Sequence, residues 1–323
     1  MQGLLLQAET ATGARPAMGR RQIETDRVLA AGPGLGNIGP GRGYTGSQET
    51  EESEEESMNK VRVRASSLAE FFDCPARWSA KHLDGKRMPS SVPAAVGTAV
   101  HKSTAVYDDA RMSGDPCTPD DAAELALKYL AEPDEEIDWR GTSMNKAVTV
   151  ALGVHTRYCV DIAPTRTYYA VETPLPDLPV VFEELGVEIL LTGTLDRLIC
   201  TDKPKVFGVA DIKTGARALS QSTGKHRAQL GVYEILASVM LDEMDAGTID
   251  GPGELIQLQT SSQYEVGVSP VVDARSLLLG TDENTGLLTH MARSLASGDF
   301  WGNPSSWLCN EKYCPNWATC FYR

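Results

Sequence analysis

The chain has 323 residues, 41% of them hydrophobic, and a formal charge of −14, the profile of a folded soluble protein with a sizeable core. No run of about 18 apolar residues occurs and Leu4-Leu5-Leu6 is too short for a signal-peptide core, so neither a membrane span nor a secretion signal is expected, and a cytoplasmic protein is. The acidic balance argues against a uniformly basic nucleic-acid binder, though not against local positive segments.

Residues 1–57 are Gly-rich and end in the acidic run Glu49-Thr-Glu-Glu-Ser-Glu-Glu-Glu-Ser57. Such a segment buries too little apolar surface to offset its ordering entropy, and is expected to be disordered. It contains Gly34-Leu-Gly36-Asn-Ile-Gly39, but Pro33 and Pro40 bracket that motif and no apolar strand precedes it, so a dinucleotide fold is not expected. Met58-Asn-Lys-Val-Arg-Val-Arg64 reads as the natural beginning of folded structure, which makes Met58 an alternative start.

The pattern then turns helical over 67–83, with Ser67 and Glu70 reading as a capping box and Leu68, Phe71, Phe72 and Trp78 as an apolar stripe. Further helices are predicted at 93–112, 119–131 and 143–161. Strands follow at 168–173, 187–200 and 205–213, rich in β-branched and aromatic residues, then a helix at 225–243, strands at 254–260 and 263–270, and a helix at 284–297. This order predicts an α/β fold with a mixed central sheet covered by helices, continuous over 58–323.

Charge is uneven along this body. Residues 60–87 carry seven Lys or Arg against three acids, and 197–227 carry seven against two. Positive segments on both sides of Asp196 and Asp211 are what a phosphate backbone needs, and equally what a solvated surface shows.

Asp196 closes the run Val187-Glu-Ile-Leu-Leu-Thr-Gly-Thr-Leu195, and Asp211 opens Asp211-Ile-Lys213-Thr-Gly215. Side chains alternate along a strand, so Asp211 and Lys213 share one face while Ile212 points to the core. Two carboxylates converging at paired strands would be relieved by a hard divalent cation, which supplies a hydroxide at neutral pH and a counter-charge for a phosphodiester under attack. Asp-x-Lys alone is a weak signal, but it has company. Gly97-Thr-Ala-Val-His101 sets a small residue and an imidazole on one helical face, and Gln229-Leu-Gly-Val-Tyr233 does the same for an amide and a phenol. Glu172, on the preceding strand, is a weaker candidate for the metal's outer shell.

In this order the motifs resemble the RecB-type branch of the PD-(D/E)XK nucleases, which includes the CRISPR-associated four-cysteine exonucleases and related phage nucleases. The likeness runs from about Ser66 to Cys320. It implies a restriction-endonuclease-like core, with His101, Asp196, Asp211 and the Ile212 carbonyl binding Mg2+ or Mn2+. It further implies that Lys213 positions or activates the attacking water and that Gln229 and Tyr233 contact Lys213 or DNA. An imidazole ligand is softer than the all-oxygen shell Mg2+ prefers, so Mn2+ is expected to support the higher activity.

Cys309, Cys314 and Cys320 place three of seven cysteines within twelve residues. In a chain expected to be cytoplasmic, clustered thiols suggest zinc or an iron–sulfur cluster rather than disulfides, and Cys74-Pro75 is the natural fourth ligand. The iron–sulfur members of the family likewise hold a [4Fe–4S] cluster with one cysteine before the nuclease core and three after it. Four residues separate Cys309 from Cys314 where two are usual, so zinc stays open as the alternative. Segments 67–83 and 301–323 would then be stapled together as a cysteine-rich metal-binding tail. Trp301, Trp307 and Trp317 in that tail could stack the bases of a single strand, or pack around the metal. The resulting expectation is a metal-dependent DNA exonuclease acting on single-stranded ends in recombination, repair or CRISPR and phage DNA processing. Any helicase or CRISPR-adaptation partner would be another chain. The alternative is a non-catalytic nucleic-acid-binding subunit whose metal is structural.

Overall fold

The computed structural model describes residues 58–216, 223–261 and 263–323, the side chains of 223–225 excepted. Segment 1–57, with its expected disorder and its glycine motif, lies outside them. From Met58 the elements run β1 (Asn59–Arg64), α1 (Leu68–Asp73), α2 (Pro75–His82), β2 (Ser90–Ser91), α3 (Val92–Ser113), α4 (Pro119–Ala131), β3 (Ile137–Asp138) and α5 (Met144–Arg157). Then follow β4 (Tyr168–Pro174), β5 (Leu178–Phe182), β6 (Val187–Thr192), β7 (Thr194–Cys200), β8 (Val206–Gly215) and α6 (Thr223–Glu243). The series closes with β9 (Thr248–Ile249), β10 (Gly253–Gln259), β11 (Val266–Val271), α7 (Ala274–Leu279) and α8 (Leu287–Ser297).

The main sheet has the order β11-β10-β8-β7-β4, with β9 beside β8. It is mixed: β10 and β9 run parallel to β8, the other pairs antiparallel. A second sheet, β1-β6-β5, completes the α/β architecture, and no described helix is long and apolar enough to cross a membrane. Period-two alternation sorts β8 between two cores. Phe207 and Val209 pack with α6, α7 and α8, while Ala210 and Ile212 pack with α3, α4 and α5. The sheet is thus covered on both faces, and Asp211 is carried on the α6 side.

Three local expectations change. The helix foreseen over 67–83 is two helices, because Pro75 disfavours a helical residue before it; Cys74 is extended (φ −156°, ψ 95°) and Pro75 begins the next helix. The Ser67–Glu70 capping box does not form. Ser67 sits in a 3-10 turn and donates to the Arg64 carbonyl, while Glu70 takes Lys81 and His82. The strand foreseen over 187–200 breaks at Gly193 into β6 and β7, which belong to different sheets. A side chain at Gly193 would meet the Tyr233 ring at 2.9 Å.

Candidate active site

The β7–β8 ladder pairs Cys200 through Arg197 with Phe207 through Ala210, and Asp196 and Asp211 follow directly beyond it. There Asp196 takes over from the ladder: its Oδ2 accepts from the Ile212 amide at 2.7 Å. Both carboxylates are buried. Lys213 spans both oxygens of Asp211, at 3.0 and 2.8 Å, as alternation requires.

From α6, the buried Gln229 donates to Asp211 Oδ1 and to the Tyr233 hydroxyl, each at 2.9 Å. Of the amide and phenol foreseen on one helical face, the amide thus reaches Asp211 and the phenol reaches the amide. From α3, Gly97 lies so close to β8 that a Cβ there would meet Thr214 Oγ1 at 2.7 Å, which brings His101 onto the sheet. His101 Nε2 lies 2.9 Å from the Ile212 carbonyl. A carbonyl only accepts, so Nε2 carries the hydrogen and Nδ1 is turned to Asp196 Oδ2 at 3.6 Å and Glu172 Oε1 at 3.7 Å.

A bare nitrogen lone pair facing two carboxylates is repulsive unless a cation, a proton or a metal, stands between them. Among the described residues, His101, Glu172 and Asp196 are the one group of three His, Cys, Asp or Glu with all donor atoms within 4.8 Å of one another. Glu172 enters because β4 places it opposite Asp196, between the pairs Val171↔Arg197 and Thr173↔Leu195, with a left-handed φ of +43°. Such backbone strain in a non-glycine residue is a recurrent feature of functional sites. Of the expected ligands, His101 and Asp196 thus gather with Glu172, the Ile212 carbonyl is engaged by His101, and the Asp211 carboxylate by Lys213 and Gln229.

The protonation pattern follows from these contacts. Burial alone would lower His101, but Asp196 and Glu172 outweigh it and its pKa rises. Burial lifts Asp211 to about 6, against the pull of Lys213 and with the help of Asp196. Lys213 rises too, since Asp211 and Asp196 overcome its burial, so its ammonium persists at neutral pH.

Behind the site lies a buried polar network that motif reading missed. Arg197, with no exposed surface, donates to Asp108 Oδ2 (2.8 Å), the Asp196 carbonyl (2.7 Å) and Thr104 Oγ1 (3.1 Å). Asp108 also accepts from Tyr158, at the start of a π-helical turn over Tyr158–Ile162 that the plain helix expected to 161 did not include. The signal was present on α3: His101, Thr104 and Asp108 follow i, i+3, i+7 spacing on one face. The network also removes Arg197 from the basic lining expected over 197–227. Arg227 turns to the Asp273 carbonyl, and Lys203 and Lys205 stand at the far end of β8 from Lys213.

The four predicted cysteines converge elsewhere, lining one narrow cavity with Arg77, Asn303, Trp317 and Tyr322. Burial, then the sulfurs of Cys74 and Cys320, raise the Cys309 thiol, with Arg77 opposing. Cys314 is raised by burial as well. The buried Arg77 leaves its Nε without a hydrogen-bond partner. Asn303 donates to Cys74 Sγ and to the Asp73 carbonyl, Ser306 to the Asp73 carboxylate, and Ala76 to the Trp301 carbonyl, so the tail is tied to the α1–α2 junction.

The profile of the PD-(D/E)XK nuclease superfamily matches residues 62–321. The chain belongs to that superfamily. Among solved structures, a presumptive exonuclease from Eubacterium rectale is similar at 12% identity and a TM-score of 0.41, over 83% of this chain and 93% of its own. The protein SSO0001 is similar at 14% and 0.37, over 80% and 85%. No protein of curated function matches the chain. Nucleases of the superfamily use divalent metals such as Mg2+ and Mn2+, and the carboxylates and imidazole gathered beside Asp211 suit such an ion.

Proposed function

We propose that this nuclease is a Mn2+- or Mg2+-dependent deoxyribonuclease that removes nucleotides from single-stranded DNA ends in recombination, repair or CRISPR and phage DNA processing. One observation carries the reading: an imidazole nitrogen aimed at two carboxylates, 3.6 and 3.7 Å away, directly beside the Asp211–Lys213 pair. His101, Asp196 and Glu172 would hold the ion, with Asp211 and the Ile212 carbonyl at its border. A bound cation would supply counter-charge to the phosphate and acidify a water.

The chain's own groups do the rest. Lys213, kept protonated by Asp211, donates to an oxygen of the water or phosphate rather than taking a proton. Gln229 holds Asp211 in place and is itself held by Tyr233, whose hydroxyl burial keeps protonated. Arg197 fixes the backbone at Asp196.

The cysteine pocket is proposed to hold a [4Fe–4S] cluster. Tetrahedral zinc at about 2.3 Å from each sulfur needs sulfurs about 3.8 Å apart, yet no three of these four lie mutually within 4.8 Å. Wider spacing suits a larger group. Anaerobically purified protein should be brown and bleach with dithionite; one zinc in a colourless protein would reverse the assignment.

The activity test uses end-labelled single-stranded and duplex DNA with Mn2+, Mg2+ or Ca2+. Cleavage should be faster with Mn2+ than with Mg2+, and Asp211→Ala and Lys213→Ala should each lower it about a thousandfold or more. Equal rates with the two ions would remove His101 as a ligand. A wild type inert toward every strand type with every ion would leave the non-catalytic nucleic-acid-binding subunit as the better reading.

A further inference from the structure

The tail 301–323 carries three outward-facing aromatic rings: Trp301 is 45% exposed, Trp307 72% and Phe321 91%. Packing around the cysteine pocket accounts for the inner rings: Trp317 and Tyr322 line it, and a Cβ at Gly302 would meet the Tyr322 ring at 2.6 Å. It does not account for Trp307 and Phe321, which give most of their surface to solvent. Two such rings, each paired with a second aromatic within one 23-residue tail, leave large apolar faces open to a partner.

The outward rings are braced. Trp307 stands edge-on to Tyr313 at 5.3 Å between centroids, and Phe321 edge-on to Tyr322 at 5.4 Å. Each ring thus has an aromatic neighbour at one edge and an open face, and the contact with Tyr313 narrows the freedom Trp307 would lose on stacking. Cations are interleaved with the rings. Lys312 lies over Tyr313 at 5.3 Å and Arg323 over Trp317 at 5.6 Å, while Lys86, already paired with Asp84 at 3.3 Å, reaches in from the α2–β2 loop to Asn316 at 3.1 Å. Within 301–323, Lys312 and Arg323 face only Glu311, in a chain whose total charge is −14. Braced aromatic faces with cations between them fit an unpaired strand, whose bases offer π-faces and whose phosphates take the charge. A protein partner for an apolar patch would not call for the cations; a duplex, with its bases stacked internally, would not call for the rings.

We infer that the cysteine-rich tail is a base-stacking platform for single-stranded nucleic acid, separate from the carboxylate site. The inference rests on the nuclease reading for its substrate class, and binding is therefore measured apart from cleavage. The experiment titrates the full chain, purified with its cysteine-bound metal and kept in Ca2+, with fluorescent dT20 and with a blunt 20-base-pair duplex. Saturating dT20 should quench the tryptophan emission of the unmodified protein and shield it from acrylamide. Trp307→Ala combined with Phe321→Ala should weaken dT20 binding roughly tenfold or more, as expected for two lost stacking contacts, while duplex affinity and hydrolysis of a small thymidine phosphodiester hold within about threefold. Salt should weaken dT20 binding with a log–log slope of about −1.4, from the two tail cations Lys312 and Arg323 on a single strand.

Unchanged dT20 affinity in the double variant, an equal loss on duplex, or no quenching in the unmodified protein would each overturn the platform. Should the double variant lose its metal, the quenching and shielding measurements on the unmodified chain still decide. Selective loss of dT20 binding in a protein that cuts nothing would sink the nuclease reading and leave the platform standing. Cleavage without dT20 binding would do the reverse.

Discussion

The side chains around Asp211 are carried by β7, β8, α3 and α6 and locked by hydrogen bonds to backbone and to a buried network. Those around Cys74 are carried by one helix junction and a tail whose only regular piece is the 3-10 turn Trp317–Thr319. The first region is preorganised by the sheet, and its charges oppose folding as much as they support it: burial disfavours the ionised forms of Asp211, Lys213 and His101. The second has little core of its own beyond the hydrogen bonds to Asp73, Cys74 and Ala76, so a group held by the four thiols, as proposed, would add much of its cohesion. On that proposal the first region is held by the sheet and the second by its ligand. Asp211→Asn should therefore remove activity without lowering Tm, and substitutions around the cysteines should do the opposite.

The largest expected effect on stability is at Cys314, the buried member of the tail trio. Cys314→Ser removes one of the four thiols of the proposed metal clip between segments 235 residues apart, and loss of that clip would re-expose the tail. Metal content should fall, a protease should nick the chain after Gly298, and Tm should drop by about 10 °C. A variant that keeps both metal and Tm would show that the pocket is not a metal clip, and the contrast between the two regions would fail.

Next in size is the scaffold behind the carboxylates. Arg197→Leu leaves Asp108 buried without its guanidinium, a change that costs about 3–5 kcal/mol and should appear as a lower urea midpoint. Tyr158→Phe removes a 2.5 Å hydrogen bond to Asp108 and a 3.0 Å one with the Tyr168 hydroxyl, and should cost about 1–2 kcal/mol. Because Arg197 also holds the Asp196 carbonyl, its loss should raise the Mn2+ concentration needed for half-maximal activity, whereas Tyr158→Phe should leave that concentration nearly unchanged. Equal metal requirements in the two variants would mean that Arg197 serves folding alone.

The parts legible in sequence were those set by local periodicity. Asp211 and Lys213 share a face because strands alternate, His101 follows Gly97 because a helix turns, and the cysteines declare themselves by density. What escaped depended on non-local geometry. Glu172 looked peripheral because its rank depends on the β4–β7 register and on a positive φ that no propensity foretells. Arg197 counted as a surface cation because nothing in its neighbours reveals that Asp108, 89 residues earlier, waits inside. β1 and β5 were not resolved as strands, since each finds its partner only in the separate sheet built on β6. The exposed tail rings could have filled a core on composition alone; only their placement separated braced outward rings from packing.

The remaining predicted effect is an acid limb, and it belongs to the cysteine half of the molecule. Glu70 on α1 accepts from Lys81 at 2.9 Å and lies 3.3 Å from His82, both on α2, the helix that Cys74 caps. Burial works against its charge, but His82, Lys81 and Arg77 prevail and hold it at about 2 against an ordinary 4.5. A carboxyl held low in the folded state adds stability that is complete above the unfolded value and is lost as pH falls toward the folded one. The full shift corresponds to about 3 kcal/mol, and the partial exposure of Lys81 reduces that to roughly 2. Glu70→Gln should therefore be about 2 kcal/mol less stable than the parent at pH 7, with the gap narrowing below pH 5 and closing near pH 2. Urea melts of both proteins across that range decide it: a gap constant from pH 7 to pH 3 would mean that Glu70 acts through packing, and the α1–α2 junction would then carry no acid-sensitive strut beneath the cysteine pocket.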